Sequence, residues 1–314
     1  MFREFVSACG RINECGMKFP SFLRTALAIL FFSLVVYFFQ PWQIWETLSH
    51  SAIEIIFLSI LALFISLFFN AAVYSFLLRE HRIPFPATFS AVLLGWVGES
   101  TLPGKIGSFS AAWFLKKHVR MGEGVGNIAL YRVSLGIVTL LVGVVGTLLY
   151  FPFVQARVEL LGAGLIVMGI AFIVLSRGGV RFLVTLVPAT LATSMKGFLT
   201  TIREKVRDPL SLLVLGLTGF IQLALVSGVY TLMFAVTGHP IDFPILFTVI
   251  SLIQLAVLIP ISINGLGIRE GLMGVLLQPF GIPPEVSVGI AIVNTATGYA
   301  LAFILSLFVL KKIA

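Results

Sequence analysis

The chain has 314 residues, 59% of them hydrophobic and only 11% charged, with a mean hydropathy of +1.08. A soluble domain carries about 25% charged residues, so a water-soluble globule is excluded and a single polytopic membrane domain over residues 1–314 is expected. The net charge of +8 sits in segments that flank apolar runs, where it directs topology; nucleic acid is not the expected partner.

Arg3, Arg11, Lys18 and Arg24 flank the first apolar run, Phe22–Phe39, long enough to cross and read as a retained span. A connector with Trp42 and Trp45 but no Lys or Arg leads to a second span, Ile53–Leu78, followed by Arg79 and Arg82. Ala87–Leu102 is apolar again but stops at Pro103-Gly104-Lys105-Ile106-Gly107. Ser108–Leu115 then precedes Lys116, Lys117 and Arg120, and Gly126–Tyr150 is a full span containing Arg132. Leu160–Ser176 crosses back. In the basic segment 190–207, Leu191, Met195, Phe198, Leu199, Ile202 and Val206 recur at helical spacing, the pattern of a helix lying in the interface. Leu210–Ala235 spans. Pro244–Ile259 leads into a second break, Ile268–Leu277 leads out of it, and Glu285–Leu310 is the last span before Lys311 and Lys312.

Eight residues from Ser108 reach only about 12 Å as helix, against about 30 Å of hydrocarbon. Both broken segments are therefore expected to be re-entrant hairpins beside six full spans. Of the 21 basic residues, Lys105, Arg132 and Arg269 then lie in the membrane and Arg157 outside; the other 17 fall on the cytoplasmic side. Both termini are expected to be cytoplasmic, in a cell membrane. The first hairpin enters from the cytoplasm and the second from outside.

The pattern is written twice. Ile83-Pro-Phe-Pro-Ala-Thr-Phe89 and Ile241-Asp-Phe-Pro-Ile-Leu-Phe247 share one motif, and each opens an apolar run that ends in a Pro-to-Gly break. The breaks run Pro103, Gly104, Gly107 and Pro260, Gly265, Gly267; a later span carries Arg132 in one copy and Asn294 in the other. Each copy, 22–150 and 160–310, has an odd number of full crossings. The copies are therefore expected to be oppositely oriented, as in inverted-repeat transporters.

Proline and glycine at a break free backbone groups that only protein or water can satisfy at membrane depth. Charges placed there are expensive and point to function. Lys105, Arg132 and Arg269 are candidate cations, with Ser262, Asn264, Glu270 and Asn294 completing a substrate-binding set. Glu99 and Glu270 are candidate proton carriers. Return helices beginning at Ser108 and Ile268 would direct N–H groups inward and favour an anion such as phosphate. The competing reading makes Arg132 a snorkelling side chain and Asn294 interhelical glue. The four His and two Cys, Cys9 and Cys15, show no metal-ligand spacing. No nucleophile–base arrangement or nucleotide loop appears. No cofactor, no metal and no enzymatic activity are expected.

Leu102-Pro-Gly-Lys-Ile-Gly107 with Arg132, and Ile259-Pro-Ile-Ser-Ile-Asn-Gly-Leu-Gly-Ile-Arg-Glu-Gly271, resemble the lysylphosphatidylglycerol synthase transmembrane family, over nearly the whole chain. This is the flippase-like membrane domain also found in multiple peptide resistance factors. Members often carry Glu or Arg just after the first glycine turn, where Ser108-Phe109-Ser110 stands here, and Asn294 replaces the Arg that symmetry with Arg132 suggests. The resemblance implies movement between leaflets of a lipid, anionic or polyprenyl-phosphate-linked. The soluble aminoacyl-transferring part of the synthases is not found in these residues. Two alternatives are a secondary transporter of a small soluble anion and a non-transporting accessory protein of cell-envelope lipid synthesis.

Overall fold

The computed structural model describes residues 52–101, 106–151, 198, 200–257 and 265–313. Among them the chain is helical, with no strand. The helices are α1 (Ala52–Leu77), α2 (Phe85–Thr101), the short α3 (Ser110–Phe114), α4 (Met121–Tyr150), α5 (Pro209–Val236), α6 (Phe243–Val257), α7 (Ile268–Leu277) and α8 (Pro284–Ile313). Residues 200–207 are also helical.

Four of these helices, α1, α4, α5 and α8, are long and apolar enough to cross a membrane. The expected spans Phe22–Phe39 and Leu160–Ser176 lie outside the described residues, as do Leu191 and Met195 of the basic segment. With 17 and 15 residues, α2 and α6 reach about 26 and 23 Å, short of the ~30 Å core. Phe57, Phe64, Phe68, Leu213 and Phe303 all point outward. Water would oppose that arrangement, and lipid does not.

Helix ends follow local chemistry. Asp208 caps α5 by accepting the Leu210 N–H at 3.1 Å, and Pro209 occupies the first helical position, where its missing N–H costs nothing. After α2, a 3-10 turn over Ile106–Phe109 and then α3 lie back along α2. Gly95 and Gly98 make this possible. A Cβ on Gly98 would come within 2.6 Å of the Gly107 carbonyl oxygen, and one on Gly107 would overlap the Gly98 backbone. Ser110 Oγ ties the return to the Leu94 carbonyl at 3.1 Å. In the second fold-back, Gly265 and Gly267 take φ of +80° and +83°, and α7 packs against α6.

The packing is reciprocal. α6 lies on α4, α2 lies on α8, and α1 and α5 pack side by side. Buried side chains form two clusters. One, with Leu67, Tyr74, Ala111 and Tyr131, surrounds the first fold-back; the other, with Met233, Phe234, Leu246, Met273 and Ile290, surrounds the second.

Two local expectations change. α4 starts at Met121, five residues before the expected Gly126, because its early glycines serve as contact surfaces. Gly124 meets Ala112, and Gly126 meets Thr201 and the Phe198 carbonyl. Close packing there offsets the usual cost of glycine in a helix. The first return is a 3-10 turn and a five-residue helix, so no developed helix N-terminus begins at Ser108. In the described part of the basic segment, the stretch 200–207 buries Thr201 and Lys205 and leaves Val206 exposed. Lys205 Nζ donates to Glu80 Oε1 at 2.8 Å, and Arg79 pairs with Asp208 at 3.0 Å. The Lys205 hydrogen bond pulls the Glu80 carboxyl below its ordinary range. Hydrogen bonds from Ser211 and then Arg79 do the same for Asp208.

Candidate functional site

Where α1, α2, α4, α5 and α8 meet, they enclose a partly open cavity of about 240 Å³. The positions along α1 show how such a cavity arises inside an apolar bundle. Ser59, Ser66, Asn70 and Tyr74 all line it, and their spacing of seven, four and four puts them on one face of the helix. From Ser59 to Tyr74 the stripe climbs about 22 Å. α5 contributes Gln222 and Tyr230, and α8 contributes Asn294, Thr295 and Tyr299.

Many of these groups satisfy one another. The Tyr131 hydroxyl donates to Gln222 Oε1 at 2.6 Å and also contacts the Asn70 carboxamide. Gln222 Nε2 donates to Ser66 Oγ at 2.7 Å. The phenol has one proton, which goes to Gln222, so Asn70 completes the set by turning its NH₂ toward the phenol oxygen. On the opposite wall Asn294 Nδ2 donates to the Tyr230 hydroxyl at 2.7 Å. These bonds join α1 to α4 and α5, and α5 to α8, across apolar surroundings. A lost partner there leaves a buried polar group unpaired.

The charges are distributed unequally. Glu99, on the last turn of α2, is buried and forms an ion pair with Arg132 of α4. Because α4 begins early, Arg132 lies eleven residues in, about 16 Å from the helix start. It faces the cavity and Glu99, not the helix end. Arg269 lines the cavity from the first turn of α7. Among the described residues, no carboxylate lies within salt-bridge distance of it. Guanidinium stays protonated in proteins, so Arg132, Arg269 and Glu99 give the described lining one net positive charge.

Glu270 is elsewhere. It is 0% exposed and does not line the cavity. One carboxylate oxygen accepts the Gly267 N–H at 2.6 Å, and the other accepts the Thr295 hydroxyl at 2.6 Å. The free N–H at the start of α7, which the sequence suggests for a bound anion, is thus taken by the protein's own carboxylate three residues on. Arg269 and Glu270 are neighbours in sequence and point to different surroundings, as adjacent helix positions do.

Of the sequence candidates, the fold brings Glu99, Arg132, Arg269 and Asn294 to one cavity and sets Glu270 behind it. Lys105, Ser262, Asn264, Pro103, Gly104 and Pro260 lie outside the described residues. Ser108 and Ser100, at the first break, also line the cavity. The neutral lining of Asn70, Gln222, Tyr74 and Tyr230 was not singled out from sequence. The available signal was a set of polar residues four and seven apart inside otherwise apolar spans.

The lysylphosphatidylglycerol synthase TM region model matches residues 21–306. The chain belongs to this family. No curated protein and no solved structure matches it. Membership in the lysylphosphatidylglycerol synthase TM-region family carries a membrane location and a lipid-related role for a bundle with a cationic interior cavity.

Proposed function

We propose that the protein is a lipid translocase, not an enzyme, whose cavity takes an anionic headgroup while the hydrocarbon tail stays in the bilayer. The observation that carries this reading is Arg269, a half-buried cation facing a polar cavity with no carboxylate partner among the described residues. An unneutralised charge inside a membrane bundle is costly and is kept for an ion or substrate. A phosphate oxygen at that guanidinium would form charge-assisted hydrogen bonds. The hydroxyl and amide groups along α1, α5 and α8 supply a path of polar contacts about 22 Å long. The substrate class is a phospholipid or polyprenyl-phosphate-linked lipid.

Reciprocal packing of α2 on α8 and α6 on α4 supports an inverted repeat with two re-entrant hairpins. In that arrangement both termini are cytoplasmic, and the Lys205–Glu80 and Arg79–Asp208 pairs lie at the cytoplasmic end. Glu99 exchanges its partner: an incoming anion competes with it for Arg132, and the released carboxylate is the position for a coupled proton.

The test is transbilayer movement of headgroup-labelled phosphatidylglycerol and labelled polyprenyl phosphate in proteoliposomes. Protein-dependent movement is expected, and Arg269→Ala abolishes it. A folded wild type that moves neither lipid but binds inorganic phosphate would instead make it a transporter of small soluble anions.

A further inference from the structure

Outside the cavity, on the same α4 and α5 and on α6, runs a groove of about 490 Å³. We propose that this groove is the site for one hydrocarbon chain of the lipid whose headgroup occupies the cavity, so that the two sites together hold a single molecule. The proposal rests on the translocase reading and adds where the tail goes.

Apart from Thr248 and the phenol of Tyr150, the groove is lined by carbon: Val138, Val142, Val145 and Phe247 form its walls, and Gly216 forms part of its floor. From Val138 to Tyr150 it extends about 18 Å along α4, close to the ~15 Å of one leaflet's hydrocarbon. The occupant follows from continuity with the cavity. A Cβ built on Gly219 of α5 would stand 3.6 Å from two α4 side chains, Leu135 and Val138, so glycine leaves a notch of about one methyl group between the helices there. Leu135 lines the cavity and Val138 lines the groove. Only this notch at Gly219 therefore lies between a cationic polar site and an apolar channel. A molecule with an anionic head and an apolar chain is complementary to both sides of that seam. Contacts between the helices fix the walls: Gly146 of α4 lets Thr248 of α6 approach so closely that a Cβ there would overlap it, and Phe220 and Phe247 meet edge to face at 5.4 Å.

Gly216 offers a clean probe, because a Cβ on it meets nothing within 4 Å. Gly216→Leu therefore starts its side chain from open space and directs it into the groove. The full chain is placed in proteoliposomes with phosphatidylglycerol carrying a diazirine on one acyl chain, and photolabelled residues are mapped. Diazirine-bearing phosphatidylcholine and Arg269→Ala serve as headgroup controls, and glycerol phosphate binding reports the cavity alone. Expected are labels on α4 and α6 around Val142, Val145 and Phe247. They should be strong for phosphatidylglycerol, weak for phosphatidylcholine and weak in Arg269→Ala. Gly216→Leu should lose them and move lipid several-fold more slowly while binding glycerol phosphate as wild type does. Equal labelling by both lipids, or unchanged lipid movement in Gly216→Leu, overturns the groove assignment. Headgroup-dependent groove labelling without transbilayer movement would retain the groove and overturn translocation. A shift of oligomeric state in Gly216→Leu would identify the groove as a contact between copies.

Discussion

The two fold-backs start from the same sequence pattern and end with different chemistry. In the first, α2 meets a tight turn at Gly107, the return helix is five residues, and the nearby carboxylate, Glu99, faces the cavity and pairs with Arg132. In the second, Gly265 and Gly267 turn the chain at positive φ, the return helix is ten residues, and Glu270 faces away, closing that helix's N-terminus. A broken helix followed by a charge is thus one motif with two outcomes. Which outcome arises depends on whether the carboxylate is close enough to cap its own helix. Glu270 stands at the third helical position, where a capping carboxylate reaches back; Glu99 precedes its break and has no helix start to cap. The charges consequently divide between the fold-backs: the second presents Arg269, with no carboxylate partner among the described residues, and the first presents the Glu99–Arg132 pair.

That division can be broken at graded cost. The largest effect is expected from Gly107→Ala, because the added carbon overlaps the Gly98 backbone, which cannot move without unseating the return. A loss of about 3 kcal/mol or more, or failure to fold, is expected in thermal unfolding in detergent. Gly298→Ala, with nothing within 4 Å, should be silent in the same assay.

Arg132→Ala comes next. It removes the Arg132 guanidinium from the buried Glu99 carboxylate, and breaking a buried ion pair typically costs about 3–5 kcal/mol. Adding Glu99→Gln should return much of that stability. If the single and double variants melt together, the pair is not what holds the first fold-back to α4.

Glu270→Ala should rank third. It leaves the Gly267 N–H and the Thr295 hydroxyl without their acceptor, at about 1–3 kcal/mol each, and Glu270→Gln should recover part of the loss. Arg269→Ala is the contrast. With no carboxylate partner among the described residues, it should change stability by about 0.5 kcal/mol or less yet remove binding of glycerol phosphate, measured by calorimetry. A variant equally damaged in stability and binding would mean that Arg269 is structural.

The smallest effect concerns pH. Glu80 and Asp208 both titrate below their ordinary range in the folded protein. Their contribution is therefore fully present above the unfolded carboxylate range, near pH 4, and is lost as pH falls through the lowered folded values. Glu80 is exposed and Asp208 only half-buried, so the effect should be slight and weakened by salt. Lys205→Met should flatten the acid-side slope of the melting temperature.

Composition and hydropathy were enough to determine a helical membrane protein, because lipid leaves backbone polar groups few other solutions. Spans such as Ala52–Leu77 and Pro209–Val236 were legible to within a residue, since continuous apolarity and the Asp208–Pro209 cap leave little freedom. The start of α4 was not, because Gly122, Gly124 and Gly126 look like helix breakers until Ala112 and Thr201 are seen packed against them. The motif around Arg269 and Glu270 was also visible in the sequence, as an expensive ion pair beside a break. Sequence could not decide that the two residues separate, one into the cavity and one into a cap, because side-chain direction on a first helical turn depends on which neighbours α8 and α6 supply. Nor could it assemble Asn70, Tyr131, Gln222 and Tyr230, which come from three helices far apart in the chain. Each reads alone as a polar residue in an apolar span. Only packing α1 against α5, with α4 and α8 beside them, turns those isolated costs into one polar cavity.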